Sequence, residues 1–315
     1  MTRRPCTADV LEAAERLGSR IHHTPVFTSP RLDVLVGCKV FFKCENLQRT
    51  GSFKARGALN TLLQLEPSET VKGVTTHSSG NHGAALAMAA KELGIEAIVV
   101  VPENAPAIKR AAIAAHGARI VECGPTLADR ETTLAGVIAE TGALFVAPYN
   151  DLRVIAGQGT AAIELIESHG DIEQLWVPVG GGGLASGCVL AVEGKGIRVV
   201  AVEPELADDA FRSLACGKLQ SALPPRTVAD GLRTALGPLN FEILKDYELT
   251  IHRVSDDEII AAQQLLMQHM KLAVELSSAV VFAGLVRLSR EQGVAARRIG
   301  IILTGGNTRF SSERN

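Results

Sequence analysis

Long apolar runs, extended basic blocks and paired cysteines are all missing from this sequence, and each absence excludes a class of protein. Among the 315 residues no stretch approaches the roughly 18 apolar residues of a membrane span. The N-terminal segment also lacks the apolar core of a signal peptide. Basic residues form no block longer than a pair such as Arg297–Arg298, and the net charge is −2. Neither nucleic acid nor a membrane is therefore an expected partner.

The six cysteines are scattered along the chain, without a C-x-x-C pair and without the spacing of a metal site. Free thiols in this number are typical of a reducing compartment, which predicts a cytoplasmic protein. Hydrophobic residues make up 46% of the chain, enough to bury a sizeable sheet. A length of 315 residues suits two closely associated lobes better than one small core.

Short apolar runs alternate with alanine-rich segments of helical periodicity through the middle of the chain. This alternation predicts an α/β fold, with parallel strands joined by right-handed crossovers and helices on both faces of the sheet. Ligands of such folds bind at the carboxyl ends of the strands. The predicted strands are Gly73–Thr76, Ala97–Val101, Arg119–Glu122, Leu144–Ala147, Leu175–Val179, Arg198–Val202 and Gly300–Leu303.

The proline-containing segment "VAPYND" at 146–151 is the predicted crossing point between two lobes, because it follows three or four strand–helix units. We therefore expect a small domain at 70–147. The large domain would combine residues 1–69 with residues 148–315. The sequence contains no solenoid-type repeat and no low-complexity segment that would argue for another division.

Four consecutive glycines in "VPVGGGGLASG" follow a predicted strand and precede a predicted helix: Gly180, Gly181, Gly182 and Gly183. Without Cβ atoms the backbone can curl so that its N–H groups converge, and the helix N-terminus adds partial positive charge. The pattern therefore predicts a phosphate site. A tight turn without a ligand is the alternative, but four glycines lose much conformational entropy on folding for a turn alone.

The same loop also satisfies a dinucleotide-binding pattern. Gly180, Gly182 and Ala185 match G-x-G-x-x-A, and Glu203 follows about 20 residues later, after the next predicted strand. On that evidence alone a nicotinamide-dependent oxidoreductase is an alternative. A single match to so loose a pattern is weak evidence.

A second polar loop, "THSSGNHG", places Ser78, Ser79, Asn81 and His82 around Gly80 at a predicted helix start. Hydroxyls, an amide and free backbone N–H groups are suited to binding a carboxylate. The alternative is an ordinary helix N-cap, for which one polar residue suffices. Four polar side chains in five positions favour a ligand.

Lys54 stands in "TGSFKARGALN", beside Phe53 and among small residues. A lysine in such a turn can be partly desolvated and have a lowered pKa, as Schiff-base lysines require. A lone lysine, a phosphate loop and a carboxylate loop together fit pyridoxal phosphate better than a nicotinamide cofactor, because the aldehyde bonds to lysine while the phosphate sits in a glycine loop.

From about residue 20 to residue 308 the chain resembles the fold-type-II pyridoxal-phosphate enzymes, in the group of serine racemases and threonine/serine dehydratases. The resemblance implies a two-lobed fold like that of the tryptophan synthase β subunit, with parallel-rich sheets flanked by helices, and a homodimer. Its segments occur in order: "KCENLQRTGSFKARGALN", "THSSGNHG", "VIAGQGT", "VPVGGGGLASG", "AVEPELADD" and "ILTGGN".

The resemblance assigns cofactor contacts to five places in the chain. Lys54 would form the Schiff base, with Phe53 packed beside the ring. Asn81 would bond the phenolic oxygen, and Gly180–Gly183 the phosphate. Thr304 would face the pyridine nitrogen, where many relatives have serine. A hydroxyl at that place leaves the nitrogen largely unprotonated, which favours loss of a β-substituent over a long-lived carbanion.

The implied activity is a dehydratase that converts small L-3-hydroxy amino acids, serine or threonine first, to 2-oxo acids and ammonia. Ser79 lies where the racemase branch places an acid opposite the lysine, so a serine (or aspartate) racemase with side dehydratase activity is an alternative. Arg130 could pair with a second carboxylate, which suits a 3-hydroxyaspartate dehydratase, or could merely support the small domain. A non-catalytic relative is a further alternative. The implied substrate contacts are Ser78, Asn81, His82, Arg130 and Thr234.

"EPELADD" matches the group's spacing for a divalent cation. The ligands would be the carboxylates of Glu203 and Asp209 and the carbonyl of Ala207. Oxygen ligands suit Mg²⁺ first, with Ca²⁺ or Mn²⁺ as alternatives. One departure from the family pattern is Leu276, which replaces a proline after Glu275 and bears on substrate preference.

Overall fold

The computed structural model describes residues 5–78, 80–105, 107–222 and 226–308. Within these ranges the strands form one sheet of six and one sheet of four. The strands are β1 (Val26–Phe27), β2 (Lys39–Cys44), β3 (Val74–His77), β4 (Ala97–Pro102), β5 (Arg119–Cys123), β6 (Leu144–Phe145), β7 (Gln174–Pro178), β8 (Arg198–Pro204), β9 (Thr250–Val254) and β10 (Arg298–Leu303).

The six-stranded sheet has the order β1-β2-β10-β7-β8-β9, and the four-stranded sheet has the order β5-β4-β3-β6. Every pairing is parallel except that of β1 with β2. The smaller sheet is built from strands between Val74 and Phe145, and we call it and the helices between its strands the small lobe. The predicted α/β class with parallel-rich sheets is confirmed.

Helices cover both sheets, as parallel strands with crossover connections require. The helices are α1 (Thr7–Leu17), α2 (Pro30–Val36), α3 (Lys54–Leu62), α4 (Pro67–Thr70), α5 (Asn81–Leu93), α6 (Ala107–Ala114), α7 (Leu127–Thr141), α8 (Leu152–Ser168), α9 (Gly183–Val192), α10 (Asp209–Cys216), α11 (Pro238–Asp246), α12 (Asp256–Met270) and α13 (Leu276–Glu291). None of those in the described ranges combines the length and apolar character of a bilayer-spanning helix.

All seven strands predicted from the sequence are present, with ends displaced by one or two residues. Strands β1, β2 and β9 are not among those predicted from the sequence. Strand β1 has only two residues and β9 alternates exposed with buried positions at the sheet edge. Strand β2 contains lysine at its first and fifth positions, and the second of these, Lys43, is fully buried. These charged residues interrupt the apolar run by which a core strand is recognised in a sequence.

A buried ion network fixes α3 behind the site. Arg56 is fully buried, donates to both carboxylate oxygens of Glu45 at 2.7 Å, and also bonds Glu164 of α8. Lys43 of β2 pairs with the same Glu164. Two cations and two carboxylates compensate one another in a low-dielectric interior. This network holds the helix whose first residue is Lys54.

The polar loops singled out in the sequence all follow strands at their carboxyl ends. Residues 78–80 come after β3, the four glycines after β7, residues 205–209 after β8 and residues 304–307 after β10. Since strands within each sheet run parallel, the loops that follow one sheet lie at the same edge. The fold thereby assembles a site from segments more than 200 residues apart.

Candidate active site

Lys54 lies at the start of α3, with its ammonium directed at the segment that leads out of the small lobe. Its Nζ donates to the carbonyl of Pro148 at 2.8 Å and lies 5.2 Å from the centre of the Phe53 ring. The backbone N–H of Phe53 donates to the Thr304 carbonyl at 3.0 Å. Burial lowers the pKa of Lys54 to about 8, a shift that the charge of Glu275 partly opposes. The amine is thus available as a nucleophile near neutral pH.

We expect the reactivity of Lys54 in the cofactor-free protein to rise through a midpoint near pH 8, not near the usual 10.5. Below the midpoint the amine is protonated and cannot attack. Competitive acetylation read by mass spectrometry measures this, with exposed Lys91 as the internal reference. Glu275→Gln should lower the midpoint further, because it removes the carboxylate that stabilises the ammonium. A midpoint equal to that of Lys91 would contradict the prediction.

A buried carboxylate orients Asn81 at the start of α5. The Nδ2 group of Asn81 donates to both oxygens of Glu275, at 2.9 and 3.1 Å, and its Oδ1 accepts from Asn307 at 2.8 Å. Glu275 is 7% exposed, and burial raises its pKa to about 7. Because the carboxylate only accepts, the amide has one orientation. Both Glu275 oxygens lie on the same side of Nδ2, so one N–H serves them, and among the described residues no acceptor receives the second.

His82 is buried in the same helix and is held as a neutral ring. Its Nε2 lies 3.2 Å from the Val146 carbonyl, which can only accept, so this nitrogen carries the proton. Burial, with the nearby charge of Lys54, lowers the pKa of His82 to about 3. The ring therefore offers no positive charge to a carboxylate.

The four glycines form a cradle whose backbone donors are unused. Among the described residues no acceptor receives the N–H groups of Gly181, Gly182 or Gly183. Gly182 has φ of +92°, which a side chain would strain, and a Cβ on Gly181 would lie 2.4 Å from ring carbons of Tyr149. Free N–H groups at the start of α9 give an anion site. The cradle adjoins Lys54, because Tyr149 follows the residue whose carbonyl Lys54 contacts.

Gly181→Ala should raise the dissociation constant of pyridoxal phosphate by about tenfold or more, since overpacking at a closed site costs about 1–3 kcal/mol. The methyl group would overlap the Tyr149 ring and displace the cradle. Gly136→Ala is the matched control, because nothing lies within 4 Å of a Cβ at that helical position. Equilibrium dialysis of both variants measures the effect. Equal affinities in the two variants would contradict it.

Two cationic side chains of the small lobe, Lys109 and Arg130, differ in whether they have a carboxylate partner. Lys109 of α6 forms an ion pair with Asp230, which lies between α10 and α11 in the chain. Arg130 of α7 lies within electrostatic range of His77 and Tyr149, and within the described ranges its guanidinium meets only the Thr126 carbonyl, at 3.4 Å. Arg130 is thus a cation without a carboxylate partner in the described part of the chain.

The remaining predicted contacts lie near the two loops. Ser78 Oγ accepts the Gly80 N–H at 3.3 Å, and Ser79 lies outside the described residues. Thr234 Oγ1 would be 3.2 Å from a Cβ on Gly180, which places it beside the glycine cradle. Thr304 directly follows β10 and is 3% exposed, and its carbonyl accepts the Phe53 N–H.

The predicted cation ligands surround the start of α10. Glu203 is fully buried and accepts the N–H groups of Ala210 and Phe211, at 3.0 and 2.8 Å, while Asp209 is 2% exposed and accepts the Leu236 N–H at 2.7 Å. Burial raises the pKa of both carboxyls. Neither pairs with a cationic side chain in the described ranges, and no group of three or more His, Cys, Asp or Glu side chains there has metal-binding geometry.

Comparison with known proteins gives one family. A family model described as pyridoxal-phosphate dependent enzyme matches residues 18–305. β-Hydroxyaspartate dehydratase of Paracoccus denitrificans is 45% identical over 96% of this chain and 96% of its own length. Serine racemase of Dictyostelium discoideum is 44% identical over 96% of this chain and 95% of its own. The structure of maize serine racemase matches with a TM-score of 0.95 at 39% identity, covering 98% of this chain and 95% of that one.

These matches confirm the resemblance drawn from the motifs and the pyridoxal-phosphate cofactor, and they reject the dinucleotide interpretation. The amine at Lys54 and the adjoining glycine cradle are the features that such a cofactor needs at its two ends. The chain is a member of the pyridoxal-phosphate dependent enzyme family, in the group of serine racemases and hydroxy-amino-acid dehydratases.

Proposed function

We propose that this protein is an ammonia-lyase that converts small L-3-hydroxy amino acids to 2-oxo acids and ammonia. The observation that carries the proposal is the half-buried Lys54, whose amine donates to the Pro148 carbonyl beside the cradle of unused N–H groups at Gly181–Gly183. When bound, pyridoxal phosphate supplies an electron sink for the carbon that loses its proton. The chain's own residues then supply binding, orientation and proton transfer.

Lys54 acts as the general base at Cα. Its pKa of about 8 places it close to the operating pH, where proton transfer in both directions is efficient. The second N–H of Asn81, fixed by Glu275, and the hydroxyl of Ser78 bind the substrate carboxylate.

The direct test is release of 2-oxo acid from L-serine, L-threonine and L-threo-3-hydroxyaspartate by the purified holoenzyme. We expect turnover with at least one of them. Absence of turnover with all three, in protein that carries the cofactor, would refute the proposal. The unpaired Arg130 guanidinium favours the dicarboxylate among the three substrates.

A serine racemase is the second candidate function, favoured by the similarity to the serine racemase of Dictyostelium discoideum. Racemisation needs a proton donor on the face of Cα opposite Lys54. Ser79 is the candidate from the motif. Ser79→Ala should then remove D-serine formation and spare most of the elimination, as chiral chromatography of the products measures.

We further propose that Mg²⁺ binds at Glu203, Asp209 and the Ala207 carbonyl. Two adjacent buried carboxylates without a cationic partner in the described ranges repel each other, and a divalent ion would neutralise them. We expect millimolar Mg²⁺ to raise the melting temperature by about 3 °C or more.

Asp209→Asn should abolish this Mg²⁺ effect. Asp208→Asn is the matched control, since Asp208 already pairs with Arg212 and Arg253 and is not a proposed ligand. An equal Mg²⁺ shift in both variants would contradict the assignment. A homodimer and a cytoplasmic location stay predictions, to be tested by analytical ultracentrifugation and cell fractionation.

A further inference from the structure

The carbonyl of Gly181 is held by two donors on the outside of the glycine cradle. The backbone N–H of Gly237 lies 3.1 Å from it, and Nδ2 of Asn240 lies 2.9 Å from it. A trans peptide is planar, so its C=O and the following N–H point in opposite directions. Fixing the Gly181 carbonyl outward therefore directs the N–H of Gly182 to the opposite side, into the cradle.

The position of Asn240 beside the cradle is fixed by burial and by a second hydrogen bond. Asn240 belongs to α11 and is fully buried, and the same Nδ2 also donates to the Tyr149 carbonyl at 3.1 Å. Its Cβ occupies the space that a Cβ on Gly182 would need, at 2.6 Å. The amide thus joins the cradle to the segment that carries the Tyr149 ring, and both of its donor hydrogens serve backbone carbonyls.

The donor on Asn240 also limits which way the Gly181–Gly182 peptide can turn. Glycine has a wide range of backbone conformations, so an unsupported tetraglycine loop would spread its N–H groups over many directions. Two hydrogen bonds to one carbonyl oxygen select a single peptide orientation before any ligand arrives. Such preorganisation lowers the entropic cost of binding.

We propose that Asn240 is a positioning residue for the phosphate of the cofactor, acting by orienting the N–H of Gly182. The inference rests on the proposed function only in taking the glycine cradle as the phosphate site. It makes a selective prediction. Loss of the Asn240 donor weakens binding of pyridoxal phosphate and leaves binding of pyridoxal, which lacks the phosphate, unchanged.

The test compares Asn240→Asp and Asn240→Ala with the native protein by equilibrium dialysis against each ligand. Aspartate keeps the shape, removes both donors and faces two carbonyl oxygens, so we expect the dissociation constant of pyridoxal phosphate to rise at least tenfold. Alanine tests the loss of the donors without added charge, and we expect a smaller rise in the same direction. The ³¹P resonance of the bound phosphate should shift in both variants.

Asn60→Asp is the matched control, because Asn60 is also fully buried and donates to a backbone carbonyl, that of Arg153 at 2.6 Å, but bonds α1 and α8. We expect it to bind both ligands as the native protein does. Equal weakening of both ligands in the Asn240 variants would assign the residue a general structural role and overturn the proposal. Unchanged affinity for pyridoxal phosphate would overturn it as well. Native protein that binds neither ligand would instead refute the cofactor site itself.

Discussion

Lys54→Ala is expected to lower turnover of every 3-hydroxy amino acid by at least about 10³-fold, because it removes the group that we propose both anchors the aldehyde and transfers the Cα proton. Within the described ranges no other lysine donates to the Pro148 carbonyl or supplies one of the atoms nearest to a Cβ placed on Gly180–Gly183. Keto-acid release by the holoenzyme gives the rate. Borohydride treatment followed by peptide mapping should trap the cofactor at residue 54 in the native protein only.

The variant should fold at least as well as the native protein. Burial lowers the pKa of Lys54, so below about pH 8 the folded protein carries a charged group that its surroundings disfavour. Alanine removes that unfavourable term, and the melting temperature of the cofactor-free protein should not fall. Lys91→Ala, on an exposed position of α5, is the control and should keep full activity. Turnover of Lys54→Ala within tenfold of the native rate would exclude Lys54 as the base.

The sequence predicts those parts of the site that a short, local pattern of residues identifies. Lys54 stands out because a lysine next to an aromatic and small residues is unlike a surface lysine. The tetraglycine loop stands out because glycine is unfavourable unless a Cβ is excluded. The structure gives the reason for the glycines: the Tyr149 ring and Asn240 fill the space that side chains at Gly181 and Gly182 would occupy.

The parts that the sequence does not reveal depend on tertiary contacts. Tyr149 and Asn240 come from segments about 30 and 60 residues from the cradle, and nothing near either of them marks a cofactor site. Glu275 was visible only through its neighbour Leu276. A Cβ on Gly305 would lie 2.4 Å from the Glu275 carboxylate. The same carboxylate accepts a hydrogen bond from Asn81, which is almost 200 positions earlier in the chain.

Leu276 illustrates how a departure from a family pattern can be structurally mild. It is the first residue of α13, with Glu275 in the preceding cap position. Proline is favoured there because the N–H of a first helical residue has no partner within the helix. Leucine leaves that N–H in place and packs its side chain against the core of the large sheet. The helix therefore begins at Leu276 without proline.

For the strands too, prediction succeeds where the signal is local and fails where it depends on a tertiary contact. Seven strands follow from apolar runs, whereas β2 contains the buried Lys43. Lys43 is tolerable in the core only because Glu164, more than 100 residues later, reaches it from α8. A single sequence carries no sign of that pairing. A charged residue inside an apolar run was thus the reason that this non-edge strand was not predicted.

Arg130→Met is expected to lower kcat/KM for L-threo-3-hydroxyaspartate by about 10²-fold and to change kcat/KM for L-serine by less than about threefold. The two substrates differ in the β-carboxylate, and hydrogen bonds to a charged group contribute about 1.5–3 kcal/mol each. Methionine keeps the length and the apolar stem of the side chain, so packing in α7 is little changed. Coupled assays of keto-acid release give both constants.

The position of Arg130 supports this selectivity. It lies in the small lobe within electrostatic range of His77, the residue before the proposed carboxylate loop, and of Tyr149, whose ring occupies the space of a Cβ on Gly181. Burial and the charge of Arg130 lower the pKa of His77, so His77 stays neutral and does not neutralise a substrate carboxylate. Within the described ranges the Arg130 guanidinium has no carboxylate partner, so it is our candidate to receive a second carboxylate from the small-lobe side.

Two further variants separate recognition of the substrate from support of the lobe. Arg130→Lys keeps the charge but loses the bidentate fork, and it should retain part of the preference for the dicarboxylate. Arg110→Met removes a guanidinium that pairs with Glu122, and it should alter neither substrate. If Arg130→Met instead lowers kcat/KM equally for both substrates, Arg130 supports the small lobe and the dicarboxylate preference is wrong. Selective loss with L-threo-3-hydroxyaspartate would assign the β-carboxylate to Arg130, because L-serine has no group for the guanidinium to hold.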